Sequence, residues 1–396
     1  MLRTKYFDAI FRQIRCLSLP FTIHGSTIDC HADHGVEVTG DVSPPLHPST
    51  TFLSGAPESY GQLYSRIDNV TRQRVEALIG SLEGGQAVSY ASGLSAATAL
   101  IQYIKPRRIY MDAGYFGIRD VFHLWAKRHS SSQNEQVEFY TLEQCKQLSN
   151  KERSLDLIWL ESPNNPYATI SDLEWFADLA NRTGACLAVD STLSSPLGQR
   201  PFDHGAHIVM HSSTKYLSGH SDLLGGVLIV HPTLTNITAD KLRAERTIDG
   251  AVMGNLEAWL LLRSIRTYSL RIQRQTQTAL TIVDWLEHQR VKRNKITKVH
   301  HPSLKSHPSY SLAARYLRLP PATFSFEFES QSQARSFARS LVLCKQATSL
   351  GGVETLIDWR YAFDTTVSPA LLRISVGIEE ANDLIQDFEQ ALTKAN

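Results

Sequence analysis

Along the middle of the chain, short apolar runs recur at residues 87–90, 108–111, 137–140, 155–160, 185–189, 206–210 and 226–230, separated by helical or loop-like stretches. Runs of this length that are apolar nearly throughout belong to strands covered on both faces. They predict a mostly parallel seven-stranded sheet flanked by helices, the α/β layer architecture. Ahead of most of them, Arg74, Glu76, Ala77, Leu78 and Leu82 predict a helix that ends at Gly84-Gly85. Residues 255–290 read as one long helical stretch, with Leu256, Trp259, Leu260, Leu262, Ile265, Leu270 and Ile272 apolar and basic side chains interleaved. Beyond 290, strand candidates at 322–328 and 371–376 and helices near 332–343 and 379–394 predict a smaller α+β unit. Asp249-Gly250 is a turn signal. It divides the chain into an arm over 1–60, an α/β domain over 61–250 and an α+β domain over 251–396.

The arm has two parts. Residues 21–60 hold Pro44, Pro45, Pro48 and Pro57 with little periodicity and read as extended. In the first twenty residues Arg3, Lys5, Arg12 and Arg15 stand against Asp8 alone, and Leu2, Tyr6, Phe7, Ile10, Phe11 and Ile14 share one helical face. That pattern fits a mitochondrial targeting segment, although serine enrichment is missing. The plainer expectation is an arm that packs on a partner subunit, or an extension of the gene model.

Composition narrows the class. With 42% hydrophobic and 20% charged residues in 396, the chain is core-forming and not disordered. Forty basic residues against 39 acidic ones leave no charge excess for nucleic acid or an anionic membrane. No run approaches the roughly 18 apolar residues of a membrane span. The five cysteines, Cys16, Cys30, Cys145, Cys186 and Cys344, are odd in number and widely spaced, with no CxxC. Neither a disulfide framework nor a structural zinc site is expected, and a reducing, cytoplasmic compartment is.

Two strand ends carry the candidate chemistry. His211-Ser-Ser-Thr-Lys215 follows the run 206–210, so Lys215 emerges at the carboxyl end of a strand, where open α/β sheets bind ligands. The hydroxyls beside it suit an anion. A Ser-x-x-Lys of the penicillin-recognising kind also requires Lys-Thr-Gly, which this chain lacks. The run 185–189 ends in Asp190, and a buried carboxylate is costly unless it meets a cation. A strand-end Asp followed 25 residues later by a strand-end Lys is an arrangement for pyridoxal phosphate. The lysine binds the cofactor covalently, and the acid keeps the pyridine protonated so that the ring draws electrons.

At this point the chain resembles the pyridoxal-phosphate enzymes of Cys/Met metabolism: cystathionine γ-synthases, γ-lyases and β-lyases with the aspartate-aminotransferase-like fold type I. The resemblance runs over roughly residues 30–396 and is nearest to a fungal cystathionine γ-synthase-like subgroup. Val209 to Asp222 is similar to the family's lysine signature, which implies Lys215 as the covalent lysine and Ser212 and Thr214 as phosphate contacts. Tyr90-Ala-Ser-Gly-Leu-Ser-Ala96 resembles the turn whose Gly93 and Leu94 N–H groups open a helix onto the phosphate. Tyr64-Ser-Arg66 resembles the pair that reaches the phosphate of the neighbouring subunit. Tyr115 is similar to the tyrosine that stacks on the cofactor ring and assists proton transfer. Asn165, in Glu161-Ser-Pro-Asn-Asn-Pro166, resembles the residue beside the ring oxygen and the substrate; Thr192 joins the implied cofactor contacts. Arg373, in Leu372-Arg-Ile-Ser-Val-Gly377, resembles the arginine that binds the substrate α-carboxylate, and Ser349 lies in the Ser-Leu-Gly-Gly that lines the substrate side. Shared sites imply a homo-oligomer, a dimer of dimers.

The departures lie on the substrate side. Residues 357–369 replace a family stretch with Pro and Met-Thr-His, and residues 251–257 replace a Ser/Pro-rich turn. The replacement is expected to bring Trp359, Tyr361 and Phe363 to the γ end of the substrate as an aromatic wall. The resemblance implies γ-replacement on an O-activated homoserine, such as O-acetylhomoserine, by a sulfur or carbon nucleophile. Elimination by a γ- or β-lyase is the alternative. Transamination fits less well, because Tyr64, Arg66 and the Ser-Leu-Gly-Gly turn are not part of that pattern.

Overall fold

The protein is described here from a computed structural model covering residues 25–33, 36, 41–53, 64–112, 114–130, 136–146, 156–293 and 295–395. The basic amphipathic segment over 1–20 lies outside the described residues. Each of the seven apolar runs forms a strand: β1 (Gln86–Tyr90), β2 (Arg108–Tyr110), β3 (Glu138–Tyr140), β4 (Leu157–Glu161), β5 (Cys186–Asp190), β6 (Ile208–His211) and β7 (Gly226–Val230). They make one sheet in the order β1-β7-β6-β5-β4-β2-β3. Strands β2 to β6 pair in parallel, while β7 is antiparallel to both of its neighbours.

The period of two along each strand sorts its side chains into two apolar cores. Leu157, Trp159, Cys186, Ala188, Ile208, Met210 and Leu228 face one side, where they meet Leu100, Phe122 and Leu242 from the helices Gly93–Ile104, Phe116–His129 and Ala239–Asp249. Ile158, Leu160, Leu187, Val189, Val209 and Ile229 face the other, where the helices Val70–Glu83, Leu173–Thr183 and Asn255–Ile265 cover them. This explains the unbroken apolar runs: both faces are buried.

The second core continues without interruption into the carboxyl-terminal half. There β8 (Ile296–His300), β9 (Thr323–Phe328), β10 (Lys345–Gln346), β11 (Leu356–Trp359) and β12 (Leu371–Ser375) form a sheet in the order β10-β11-β12-β9-β8. Phe324, Phe326, Ile374 and Phe388 of this half belong to the same cluster as Leu187 and Val189 of the first. The cavity described below lies where the two sheets approach. Among the described residues no helix is long and apolar enough to cross a membrane.

Two local features differ from the sequence expectation. The stretch over 255–290 is two helices, Asn255–Ile265 and Tyr268–Arg293, and the part of the arm expected to be extended holds a short helix, Gly25–His31. The two differences have one cause. Asp29 accepts a hydrogen bond from the Ser269 N–H (2.8 Å), serving an orphan donor in the first turn of the second helix. Asp33 takes Arg266, from the break itself, at 2.8 Å and Arg74 at 3.0 Å. Asp33 is fully buried. Removing one partner of such a cluster leaves buried charge behind, so Asp33→Ala is expected to lower unfolding stability by about 3 kcal/mol. Chemical denaturation read at the tryptophans measures it; a loss under about 0.5 kcal/mol would mark the cluster as energetically idle.

Candidate active site

The parallel strands β4, β5 and β6 end at the same edge, with Glu161 in register with Asp190 and Asp190 with Met210. A cavity of about 570 Å³ opens there. The first half lines it with Gly93, Leu94, Tyr115, Phe116, Asn165, Asp190, Thr192, Ser212, Thr214 and Lys215; the second half adds Ser349, Arg360, Phe363 and Arg373. Residues spread over 280 positions of sequence, from Gly93 to Arg373, thus meet in one space.

One wall is built for an anion. The helix Gly93–Ile104 starts there, capped by Ser92, whose hydroxyl accepts from the Ser95 N–H at 3.0 Å. The first N–H groups of a helix have no intrahelical acceptor and favour negative charge. A Cβ on Gly93 would stand 3.1 Å from Ser212 Cβ and 3.2 Å from its Oγ, so glycine lets the serine close on the helix start. The Ser212 N–H donates to Thr192 Oγ1 (2.9 Å), and Thr214 Oγ1 bridges the Gly225 N–H (3.0 Å) and C=O (3.2 Å).

Opposite lies a buried pair of acids. Asp190 accepts from the Thr192 N–H (3.0 Å) and hydroxyl (2.5 Å). Glu161 accepts from the N–H groups of Tyr115 (2.6 Å) and Asn165 (2.7 Å). Burial raises the pKa of both carboxyls, and the proximity of Asp190 raises Glu161 further. Among the described residues Asp190 has no ion-pair cation; His211 behind it supplies only a lesser stabilisation and is itself bonded to Glu83 at 3.0 Å. A buried acid of this kind calls for a cation or a strong donor from a ligand.

Lys215 Nζ donates to Ser349 Oγ at 2.8 Å. Burial, and then the charge of Arg373, hold the Lys215 pKa down to about 8. Arg373 is 3% exposed. It donates to the Ser349 carbonyl (2.8 Å) and Asn165 Oδ1 (3.3 Å) and pairs with Asp358 at 3.1 Å. Asp358 stands directly across the β11–β12 ladder from it. Ser349 holds a left-handed backbone, φ 86°.

The expected aromatic wall forms only in part. Phe363 lines the cavity, but Trp359 donates its indole N–H to the Pro369 carbonyl (2.8 Å) and lies under Arg335, with Tyr361 beside it. Strand alternation turns 359 away from the cavity, and the 3₁₀ turn Arg360–Ala362 that follows brings Arg360 in, a residue that the sequence reading passed over. Tyr64 and Arg66 do not line this cavity; Arg66 donates to the Thr247 carbonyl (2.8 Å) and stacks near the Tyr64 ring.

This geometry fits pyridoxal phosphate: a helix start with hydroxyls for the phosphate, an uncompensated acid for a protonated ring nitrogen, and a partly neutral amine for the aldehyde carbon. With the sheet topology it defines a pyridoxal-phosphate-dependent enzyme of fold type I. The comparisons agree. A family model for Cys/Met metabolism PLP-dependent enzymes matches residues 26–393. A cystathionine γ-lyase of Dictyostelium discoideum is 36% identical over 376 residues, covering 90% of this chain and 94% of that protein. A cystathionine β-lyase of Coxiella burnetii is 31% identical with the same coverage. A crystal structure of cystathionine γ-synthase from Xanthomonas oryzae pv. oryzae in complex with cystathionine superposes with a TM-score of 0.84 at 29% identity, covering 95% and 99% of the two chains. The chain belongs to the Cys/Met-metabolism family of pyridoxal-phosphate-dependent enzymes. It is an enzyme of β- or γ-elimination or substitution on small amino acids, with pyridoxal 5′-phosphate as cofactor.

A pKa near 8 leaves about one Lys215 in ten neutral at pH 7, against about one in three thousand for an ordinary lysine. Because burial lowers a cation's pKa, the neutral amine gains as pH rises through 8. Reductive trapping of pyridoxal phosphate on cofactor-free enzyme, read as the mass of the Lys215 peptide, is therefore expected to rise to a plateau with a midpoint near 8. A midpoint near the ordinary 10.5 would contradict the buried setting.

Proposed function

We propose that the enzyme replaces the γ-substituent of an O-activated homoserine, such as O-acetylhomoserine, with a sulfur or carbon nucleophile. The observation that carries this is the contrast within one cavity. The cofactor side has the family's residues, while the γ side is rebuilt from Arg360 and Phe363, with Leu224 and Phe116 beside them. The volume falls in the roughly 300–1,000 Å³ range of ligand sites, which accommodates a cofactor and more than one small reactant.

When bound, the cofactor supplies an electron-withdrawing ring conjugated to the substrate nitrogen. Gly93, Leu94, Ser212 and Thr214 would hold its phosphate, Asp190 its ring proton, Tyr115 its face and Asn165 the ring oxygen. Thr192 fixes Asp190 and Ser212 together. Arg373 binds the α-carboxylate of the amino acid, suited to it by a planar fork of donors. Lys215 takes the proton from Cα and works next at Cβ, a task for which a pKa near the working pH is best. Tyr115 assists the departing group. Phe116, Leu224 and Phe363 give the mouth of the cavity an apolar lining beside the reacting γ carbon.

Elimination is the second reading, favoured by the lyase names of the relatives at 31% and 36% identity. Supplying O-acetylhomoserine with equal cysteine and acetoacetate and identifying products by mass spectrometry separates them. An adduct of either nucleophile is expected; 2-oxobutanoate and ammonia alone would overturn replacement in favour of elimination.

We also propose a homodimer as the minimal unit, within a dimer of dimers in the cytoplasm. Tyr64 and Arg66, outside their own protomer's cavity, serve the phosphate of the neighbour's cofactor. A charge-assisted contact to phosphate is worth enough that Arg66→Ala should weaken cofactor retention about 10–100-fold, by dialysis against buffer and measurement of bound cofactor. Unchanged retention, or an active monomer by light scattering, would reject the shared site.

A further inference from the structure

Arg360 is buried to the same degree as the anchoring Arg373, at 5% exposure against 3%. The two differ in how they are satisfied. Arg373 has Ser349, Asn165 and Asp358. Among the described residues Arg360 reaches only Asp358 Oδ2, through Nη1 at 3.4 Å, and that same oxygen is already held by Arg373 at 3.1 Å. Its Nε is buried with no hydrogen-bond partner, and its guanidinium lies 6.0 Å over the Phe116 ring, which holds the plane without satisfying any N–H. Glu161 and Asp364 act on the guanidinium through space, but neither carboxylate makes a hydrogen bond or ion pair with it among the described residues. The two oxygens of Glu161 each accept a backbone N–H, Asp364 accepts from Thr366, and Asp190 is held by Thr192.

A buried guanidinium whose Nε has no partner, and whose one ion-pair oxygen is shared with a second arginine, is costly unless an anion arrives. It lines the substrate cavity, on the segment that departs from the family pattern, one residue past the strand carrying Asp358. The α-carboxylate of the donor amino acid already has Arg373. We propose that Arg360 binds a second carboxylate, that of the incoming nucleophile, so that the enzyme selects carboxylate-bearing acceptors over neutral ones. Acetoacetate and cysteine both qualify; a small thiol without an acid group does not. This inference rests on the replacement reading above. Its chemical class is the planar carboxylate that a guanidinium fork fits and an ammonium does not reproduce.

The test compares two thiols that differ in the acid group, 3-mercaptopropionate and 2-mercaptoethanol, each with O-acetylhomoserine as donor. In Arg360→Gln the KM for 3-mercaptopropionate is expected to rise about 10–100-fold, with the KM for 2-mercaptoethanol and for the donor unchanged. Arg360→Lys should recover only part of the loss. An equal loss on both thiols, or a loss confined to the donor KM, would overturn the proposal; the latter would make Arg360 a second clamp on the α-carboxylate. Cofactor content and melting temperature are measured on both variants, and Arg360→Lys carries the comparison where Arg360→Gln does not fold. If the native enzyme forms an adduct with acetoacetate but with neither thiol, the KM for acetoacetate in Arg360→Gln takes the place of that for 3-mercaptopropionate; if it forms none with acetoacetate, cysteine or either thiol, the replacement reading fails on its own. Arg360 is then read on elimination: the KM for cystathionine should rise about 10–100-fold in Arg360→Gln and that for methionine should not. An equal change in both would reject the second carboxylate there too.

Discussion

Arg373 ties the two halves of this enzyme together across its cavity. It sits on a strand of the smaller sheet, yet it reaches Asn165 at the carboxyl end of a strand in the larger one. Its second nitrogen holds the Ser349 carbonyl, and Ser349 in turn holds Lys215. One buried cation therefore positions the amine through Ser349 and, after burial itself, helps to lower its pKa. Such a cation is tolerated only because Asp358 faces it across the ladder, within a core that both sheets share.

The cavity balances charge in two layers. On the cofactor side, Asp190 and Glu161 are acids raised by burial; on the substrate side, Arg373 and Arg360 share one acid between them. Lys215 lies between the layers. Each layer is incomplete by itself: Asp190 has no ion-pair cation among the described residues, and the two arginines share one acid. The layers are not independent, because the charge of Arg360 also favours the carboxylate of Glu161.

Much of this was legible in the sequence, for a physical reason. The central strands of the larger sheet are buried on both faces, so they read as nearly unbroken apolar runs; only the edge strand Glu138–Tyr140 is partly exposed throughout. The strand-end positions of Asp190 and Lys215 follow from where those runs stop. The smaller sheet was less legible. Ile296–His300 carries exposed Thr297 and Lys298, and Lys345–Gln346 is wholly exposed, so neither stands out from a loop. The break at Arg266 was hidden because its causes, Asp29 and Asp33, lie more than 230 residues away. The aromatic wall was misjudged at Trp359 because residue type was weighed above alternation. The 3₁₀ turn after the strand brings Arg360 in, and the indole is better placed outside, where its N–H finds the Pro369 carbonyl.

Ser349 has a further consequence. A residue with a Cβ at φ 86° is held in a region where glycine is at ease and serine is not, at a cost of roughly 1–3 kcal/mol. Its hydroxyl receives Lys215 and its carbonyl receives Arg373, so the unfavourable backbone is maintained by the catalytic groups themselves. At this position the demands of stability and of function point to different amino acids. Glycine would relieve the backbone but lose the hydroxyl that takes the Lys215 hydrogen bond, so the costlier residue is the one that holds the amine in place.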